Sequence, residues 1–218
     1  MYITNVQYRT KGKPYNEYPL EIGVFPLQTK DIPHNQLWTA SLCKVGCSLY
    51  GRNGGCPPLA PNFTALSAKH DSALVFYIKL NTQDYPPKSL TGKHYVRWNF
   101  TETFMPRIMR SLLIAVVDEI GGVMLSCGHC IGCRKCGWKN GTNSCLNPKQ
   151  RTFSLEATGI DVEKLMRENT DLPVLWWNQN NSQYIPQYQL RVGMILTNNS
   201  PTEPDIRIIR IIRELFIT

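Results

Sequence analysis

The spacing of the cysteines constrains this chain more than any other feature of its sequence. There are eight, and they fall into two groups. The first group precedes a Pro-Pro pair and consists of Cys43, Cys47 and Cys56. The second group lies within nineteen residues and consists of Cys127, Cys130, Cys133, Cys136 and Cys145. Because every cysteine belongs to one group or the other, the distribution is typical of metal ligands.

The length of the chain and its first residues predict that the cysteines are reduced thiols rather than disulfides. A chain of 218 residues can bury a sizeable core without covalent cross-links. Disulfide frameworks are usual in short secreted chains, and the first residues show no signal-peptide pattern. The longest apolar run, residues 111–117, is cut by Asp118 and is too short to span a membrane. We therefore expect a cytoplasmic protein without a membrane span, with a disulfide-stapled protein from a thermophile as an alternative.

The formal net charge of +8 is compatible with an anionic partner. The 24 Lys and Arg residues are scattered along the chain, however, and no run of five like charges occurs. Bound thiolates would also lower the apparent charge. Nucleic acid is therefore possible but not favoured, and a redox partner protein or an enzyme complex is the expected partner.

The second group of cysteines has the spacing of an iron–sulfur loop. Residues 127, 130, 133 and 136 are consecutive ligands at intervals of three, as in loops that wrap one 4Fe-4S cluster. Structural zinc sites generally use two Cys-x2-Cys pairs separated by a longer stretch. The spacing favours an iron–sulfur cluster, one or two per chain, with zinc in a non-catalytic interaction module as the alternative.

Three ligand assignments are open, and together they make all eight cysteines predicted ligands. In the preferred one, Cys127 completes a cluster with the first group, and a second cluster is held by Cys130, Cys133, Cys136 and Cys145. In another, Cys127, Cys130 and Cys133 take a remote cysteine such as Cys56. In the third, the first group binds a cluster with one iron that lacks a protein thiolate, which would leave a position open for chemistry.

Hydrophobic patterning predicts one α+β (mixed α/β) domain over residues 1–218, with a central sheet and cluster-binding loops at 43–58 and 127–148. A core helix is expected from Phe104 to about Ile120, capped by Thr103 and ended by Gly121. A short helix is expected from Asp161 to Arg167, and a helix with one basic face over the tail from Asp205. Irregular chain and edge strands are expected over residues 1–40 because of their prolines, and strands over 73–80, 123–126, 173–177 and 188–196.

The other titratable residues form no local pair of nucleophile and base, so the sequence assigns no reaction. His129 is expected to be a surface or hydrogen-bonding residue rather than a ligand. Glu102, Glu156, Asp161 and His94 are expected to be caps, surface groups or outer partners of the ligands.

Three segments in combination resemble a cysteine-rich family described only as predicted metal-binding proteins. They are Cys43-x3-Cys47-x8-Cys56-Pro57-Pro58, Cys130-x2-Cys133-x2-Cys136-x8-Cys145, and Ser154-x-Glu156-Ala157-x-Gly159-Ile160-Asp161. The resemblance covers about Cys43 to Val162, and Cys127 departs from its pattern. It implies metal or iron–sulfur binding in a prokaryotic, often archaeal or anaerobic, context, with no established reaction.

Overall fold

The computed structural model describes residues 1–10, 15–91, 93–142, 144–178, 180–181, 183–199 and 205–216. Its centre is a six-stranded sheet in the order β1-β2-β3-β6-β4-β5. The strands are β1 Tyr2–Arg9, β2 Glu17–Gln28, β3 Ser72–Asn81, β4 Val123–Ser126, β5 Phe153–Ser154 and β6 Tyr188–Thr197. Neighbours are antiparallel except for β4 and β5, which are parallel. The helices are α1 Gln36–Gly46, α2 Phe63–Ser67, α3 Pro87–Leu90, α4 His94–Glu102, α5 Met105–Ile120, α6 Leu155–Thr158, α7 Val162–Asn169 and α8 Ile206–Phe216.

Strands β3 and β6 form the middle of the sheet and pair along their whole length. Both are almost fully buried, because helices cover both faces of the sheet at this point. Strands buried on both sides are near-continuous apolar runs, which is the pattern that predicted them. The strand predictions for 73–80, 123–126 and 188–196 are confirmed, as is the mixed α/β class with a central sheet.

One face of the sheet is covered by α5 and α8, and the opposite face by α2, α6 and α7. Helix α5 buries an apolar stripe that includes Met109, Leu112 and Val116. It ends at Gly121, whose φ of 73° lies in the region that glycine tolerates best. Helix α8 buries Ile208 and Ile212 against this layer. The predicted core helix, tail helix and short helix before Arg167 are therefore confirmed.

The predicted cap of α5 is wrong. Thr103 lies at the carboxyl end of α4, and its hydroxyl donates a 2.7 Å hydrogen bond to the Phe100 carbonyl oxygen. The residue that precedes α5 is Phe104, which makes no side-chain cap hydrogen bond. The hydroxyl that was expected to begin one helix instead helps to end another.

Two strand predictions also fail. Residues 17–28 are not irregular: β2 is an interior strand, and it holds Pro19 and Pro26 within the ladder. Its buried Leu20, Ile22 and Val24 account for this, since each proline removes only its own N–H donor. Residues 173–177 form no strand; Trp177 packs into the core, and the Pro173 carbonyl oxygen accepts a 2.7 Å hydrogen bond from the Tyr188 hydroxyl.

No helix among the described residues is long and apolar enough to cross a membrane.

Candidate metal centre

The first cysteine group begins on a helix. Cys43 lies in the last turn of α1, and the Cys47 N–H at its carboxyl end donates a 3.1 Å hydrogen bond to the Cys43 carbonyl oxygen. The predicted loop at 43–58 therefore starts inside a helix that sequence patterning missed. Asn35 was the available signal, since its side chain accepts a 3.1 Å hydrogen bond from the Trp38 N–H and caps the helix. Cys56 follows in a run of turns and is buried, whereas Cys47 is exposed.

The second group leaves the sheet at the end of β4. The Cys127 N–H continues the ladder by donating a 2.9 Å hydrogen bond to the Val192 carbonyl oxygen. The chain then runs through bends and turns, in which all five cysteines are half-buried, to a single 3-10 turn at Pro148–Gln150.

The two cysteine segments pack directly against each other. Asn53 donates from its side-chain amide to the Cys130 carbonyl oxygen at 3.2 Å, and Arg151 donates from Nε to the Gly54 carbonyl oxygen at 3.1 Å. The approach is close enough to require glycine at residue 55. A Cβ there would overlap the Thr152 carbonyl oxygen and lie 2.9 Å from the Cβ of Cys130. The eight cysteines therefore belong to one continuous region of the protein.

The thiols of the first group share an acidic neighbour. Burial raises the pKa of Cys56 to about 12, with further increases from Cys47, Cys43, Glu156 and Cys130. Burial also raises the pKa of Cys43, followed by the negative charges of Glu156 and Cys47. The three thiols and the Glu156 carboxylate are therefore electrostatic neighbours, and Cys130 of the second group lies close to Cys56.

The remaining cysteines of the loop gather around Cys133. Burial raises the pKa of Cys133, as do the neighbouring Cys145, Cys130 and Cys136, whereas Arg110 lowers it. These neighbours are the other members of the quartet that the preferred assignment gives to a single cluster. Cys130 is thus adjacent to both groups, since it influences Cys56 as well as Cys133.

Backbone N–H groups surround two sulfur atoms of this quartet. The Cys130 sulfur accepts from the Gly132 N–H at 3.5 Å and from the Thr152 N–H at 3.4 Å. Burial acts to raise the pKa of Cys136, but hydrogen bonds from the backbone N–H groups of Gly54, Lys139 and Trp138 lower it overall. N–H donors stabilise the charge of a thiolate, which is the form that binds a metal.

Cys127 is connected to the first group through Glu156. Burial raises the pKa of the Cys127 thiol, and Glu156 raises it further by its charge and by accepting a hydrogen bond from the thiol. Glu156 also accepts a 2.6 Å hydrogen bond from the Ser154 hydroxyl. Glu156 therefore acts on the pKa of Cys43, Cys56 and Cys127, three of the four thiols in this half of the site. The sequence allowed it as an outer partner of the ligands but did not select it over the other carboxylates.

A buried cation, Arg191, lies next to the start of the second cysteine segment, at Cys127 and Gly128. Arg191 of β6 is 8% exposed and forms an ion pair with Glu102, with Nη1 at 3.1 and 3.2 Å from the two carboxylate oxygens. A Cβ on Gly128 would lie 3.0 Å from the Arg191 Nη2, and the positive charge acts to lower the pKa of Cys127. Sequence reasoning missed Arg191, because only the fold brings β6 beside this loop.

The other titratable residues have structural roles or lie apart. Asp161 caps α7 by accepting a 2.9 Å hydrogen bond from the Lys164 N–H, as expected. Glu102 serves as the partner of Arg191. His129 is exposed. The side chain of His94 lies outside the described residues.

The donor set fits a thiolate-bound metal cofactor. The region contains eight free cysteines, and thiolate sulfur is the ligand type that iron–sulfur clusters and zinc prefer. Among the residues that the structure describes, the buried Nε1 of Trp138 has no hydrogen-bond partner, and its ring lies against Gly54, whose N–H donates to the Cys136 sulfur. In the described part of the chain, however, no three His, Cys, Asp or Glu side chains are arranged to hold a single metal ion.

A family model described as "Predicted metal-binding protein (DUF2284)" matches residues 26–197, a range that contains all eight cysteines. The chain belongs to this family. The match confirms the resemblance stated from the three cysteine-rich segments, and it extends from the end of β2 through β3 to the end of β6. Neither a search of curated proteins nor a search of solved structures returned a match.

Proposed function

We propose that this member of a predicted metal-binding family is an iron–sulfur protein that carries two 4Fe-4S clusters and transfers electrons. The observation that carries the proposal is the position of Cys130, which neighbours Cys56 of the first group and Cys133 of the second. Two clusters held by these groups would lie side by side in one region. Such an arrangement suits the passage of electrons from one cluster to the other.

Under this proposal Cys130, Cys133, Cys136 and Cys145 hold one cluster, and Cys43, Cys47, Cys56 and Cys127 hold the other. The interval of three residues between successive ligands favours a cluster over zinc. The N–H donors at the Cys130 and Cys136 sulfurs provide a second argument. Hydrogen bonds to sulfur stabilise the additional negative charge of a reduced cluster.

When bound, the clusters supply reversible one-electron chemistry, and the surrounding residues set how readily it occurs. Arg191 places a buried positive charge beside Cys127 and favours reduction of the first cluster, whereas Glu156 places a negative charge beside the same cluster and opposes it. The second cluster would have the N–H donors at Cys130 and Cys136, which favour an added electron, so electrons would pass from the first cluster to the second.

An anaerobic redox titration tests the proposal. The purified protein should be brown, lose visible absorption on reduction, regain it on reoxidation, and take up about one electron per cluster. A double variant, Cys133→Ser with Cys136→Ser, should keep one of the two reducible centres. Ser144→Ala, an exposed change in the same loop, should keep both. A colourless protein that takes up no electrons would refute the proposal.

A further inference from the structure

Helix α1 exposes the wrong side chains for an ordinary surface helix. Four large apolar residues face solvent: Leu37 is 87% exposed, Trp38 47%, Leu42 55% and Val45 90%. The same helix buries the hydroxyl residue Thr39. A surface helix normally directs its apolar stripe inward and its polar residues outward, so α1 is reversed.

Helical periodicity places these four side chains on one side of α1. At 100° per residue, Leu37, Trp38, Leu42 and Val45 fall within one continuous arc, and Thr39 and Cys43 lie outside it. The side with Thr39 packs against α6. The apolar arc therefore points away from the protein, on the helix that carries Cys43 and ends at the exposed Cys47. An apolar surface of this kind marks an interaction site.

The net charge of the chain is concentrated in the two cysteine segments, the first of which includes α1. Residues 32–70 and 120–155 contain eight Lys and Arg and no Asp or Glu, so their net charge is +8. Elsewhere 24 minus 8 leaves 16 basic residues, which balance the 16 acidic ones. The cations are scattered, as the sequence indicated, but the acids are absent from the two cysteine segments. The two segments therefore carry +8, and Glu156, which follows the second segment and lies among the thiols, reduces the charge of the region by one.

Seven of these eight cations are exposed, and in the part of the chain that the structure describes none of them forms a salt bridge: Lys44, Arg52, Lys69, Arg134, Lys135, Lys139 and Lys149. Two oxidised clusters with four thiolates each would contribute about −4, which leaves this region clearly positive. An acidic partner is the complement of such a surface.

We propose that the apolar face of α1 and the basic residues around it dock an acidic electron-transfer protein. This inference rests on the proposed function, because the partner's reduced centre gives one electron to an oxidised cluster of this protein. The partner is oxidised by one electron, the cluster is reduced by one, and no bond is made or broken. Aliphatic side chains such as Leu42 and Val45 favour a protein over a nucleic acid, whose bases are recognised by stacking and whose phosphates are recognised by cations.

The test is a stopped-flow measurement with an acidic ferredoxin, reduced beforehand, as the probe. Reduced methyl viologen serves as a small donor that needs no docking surface. The variants are Leu42→Glu with Val45→Glu on α1, and Arg52→Glu with Lys149→Glu, two exposed cations of the cysteine segments. Ile206→Glu is the matched control, since Ile206 is 80% exposed on α8, outside the cysteine segments.

We expect reduction by the ferredoxin to slow as salt rises, and to slow at least about ten-fold in both double variants. Reduction by methyl viologen and iron content should stay unchanged in both, and Ile206→Glu should behave as the wild type. Equal ferredoxin rates in all four proteins, or rates independent of salt, would overturn the docking surface while viologen reduction keeps the proposed function. A protein that viologen fails to reduce would overturn both.

Two other occupants of the surface are outcomes of the same set of variants. A wild-type dimer in sedimentation velocity that the Leu42→Glu, Val45→Glu variant converts to a monomer would assign the face to a second copy of the chain. Tight binding of a labelled duplex DNA, lost in Arg52→Glu, Lys149→Glu and kept in the α1 variant, would assign the charge to nucleic acid. Either result would overturn an acidic protein as the partner.

Discussion

The two cysteine groups lie side by side but provide opposite surroundings for their sulfur atoms. In the first, Glu156 adds a negative charge near Cys43 and Cys56, and burial raises the pKa of both thiols. In the second, backbone N–H groups donate to the sulfurs of Cys130 and Cys136, and the pKa of Cys136 is lowered. The comparison shows that backbone geometry, as well as cysteine spacing, distinguishes the groups. At Cys130 and Cys136 the second group is prepared to hold thiolates, although burial and neighbouring thiols raise the pKa of Cys133, whereas Cys43 and Cys56 become ligands only when a cofactor replaces their protons.

Replacing Cys130 should have the largest effect on metal content, because this residue borders both groups. Cys130→Ala removes one sulfur and leaves the N–H groups of Gly132 and Thr152 without their acceptor. We expect iron to fall from about eight atoms per chain to two or fewer. Cys145→Ala is the comparison, since it should remove only the second cluster and leave about four iron atoms. If Cys130→Ala also keeps four, the groups are independent of each other.

Replacing Cys127 should affect only the cluster assigned to Cys43, Cys47, Cys56 and Cys127. Under the preferred assignment Cys127→Ala removes the fourth ligand of that cluster, so iron should fall by up to half, with the second cluster intact. Electron paramagnetic resonance of the reduced protein, combined with iron analysis, measures the loss. Glu156→Gln is the matched change at its hydrogen-bond partner and should retain full iron. Full iron in Cys127→Ala would exclude Cys127 as a ligand and leave the first cluster with an open iron.

Alkylation of the metal-free protein should distinguish the two groups by pH. Only the thiolate reacts with iodoacetamide, so the rate for each cysteine rises with pH until its pKa is passed. Because the pKa of Cys136 is lowered, its alkylation rate should level off at a lower pH than the rate of an ordinary cysteine. The rate for Cys56, with a pKa of about 12, should still be rising at pH 10. Peptide mass spectrometry between pH 6 and 10 measures both, and equal profiles would remove the contrast between the groups.

Trp138 should have the smallest effect of the four. Its buried indole N–H has no acceptor in the described part of the chain and lies beside the loop of the second group, so we expect it to donate to a bound cluster. Trp138→Phe removes the donor and should shift the reduction potential of one cluster to more negative values, with iron content unchanged. The matched control is Trp176→Phe, because Trp176 is 62% exposed and donates instead to Glu163. The same shift in both variants would mean that the Trp138 N–H has no specific role.

The parts of the fold that were predictable are those whose apolar residues face the core. Strands β3 and β6 and helices α5 and α8 have such patterns, and their predictions are confirmed. Helix α1 was missed because its apolar residues face outward and indicate no buried side. Strand β2 was misjudged because Pro19 and Pro26 outweighed its alternating buried residues.

In the candidate site, too, some residues were predictable from the sequence and others were not. Cysteine spacing indicated which residues would be chemically important, because ligand loops are local in sequence. The residues that set the electrostatics of the thiols are not local. Glu156 reaches Cys43 from α6, and Arg191 reaches Cys127 from β6, so only the folded chain brings them together. The number of metal centres remains a prediction.

Anaerobic purification followed by a count of iron, acid-labile sulfide and zinc tests the central claim most directly. Two 4Fe-4S clusters predict a brown protein with about eight iron and eight sulfide per chain and no stoichiometric zinc. About four iron would require the cluster assigned to Cys43, Cys47, Cys56 and Cys127 to be withdrawn. A colourless protein with stoichiometric zinc and no sulfide would contradict the account.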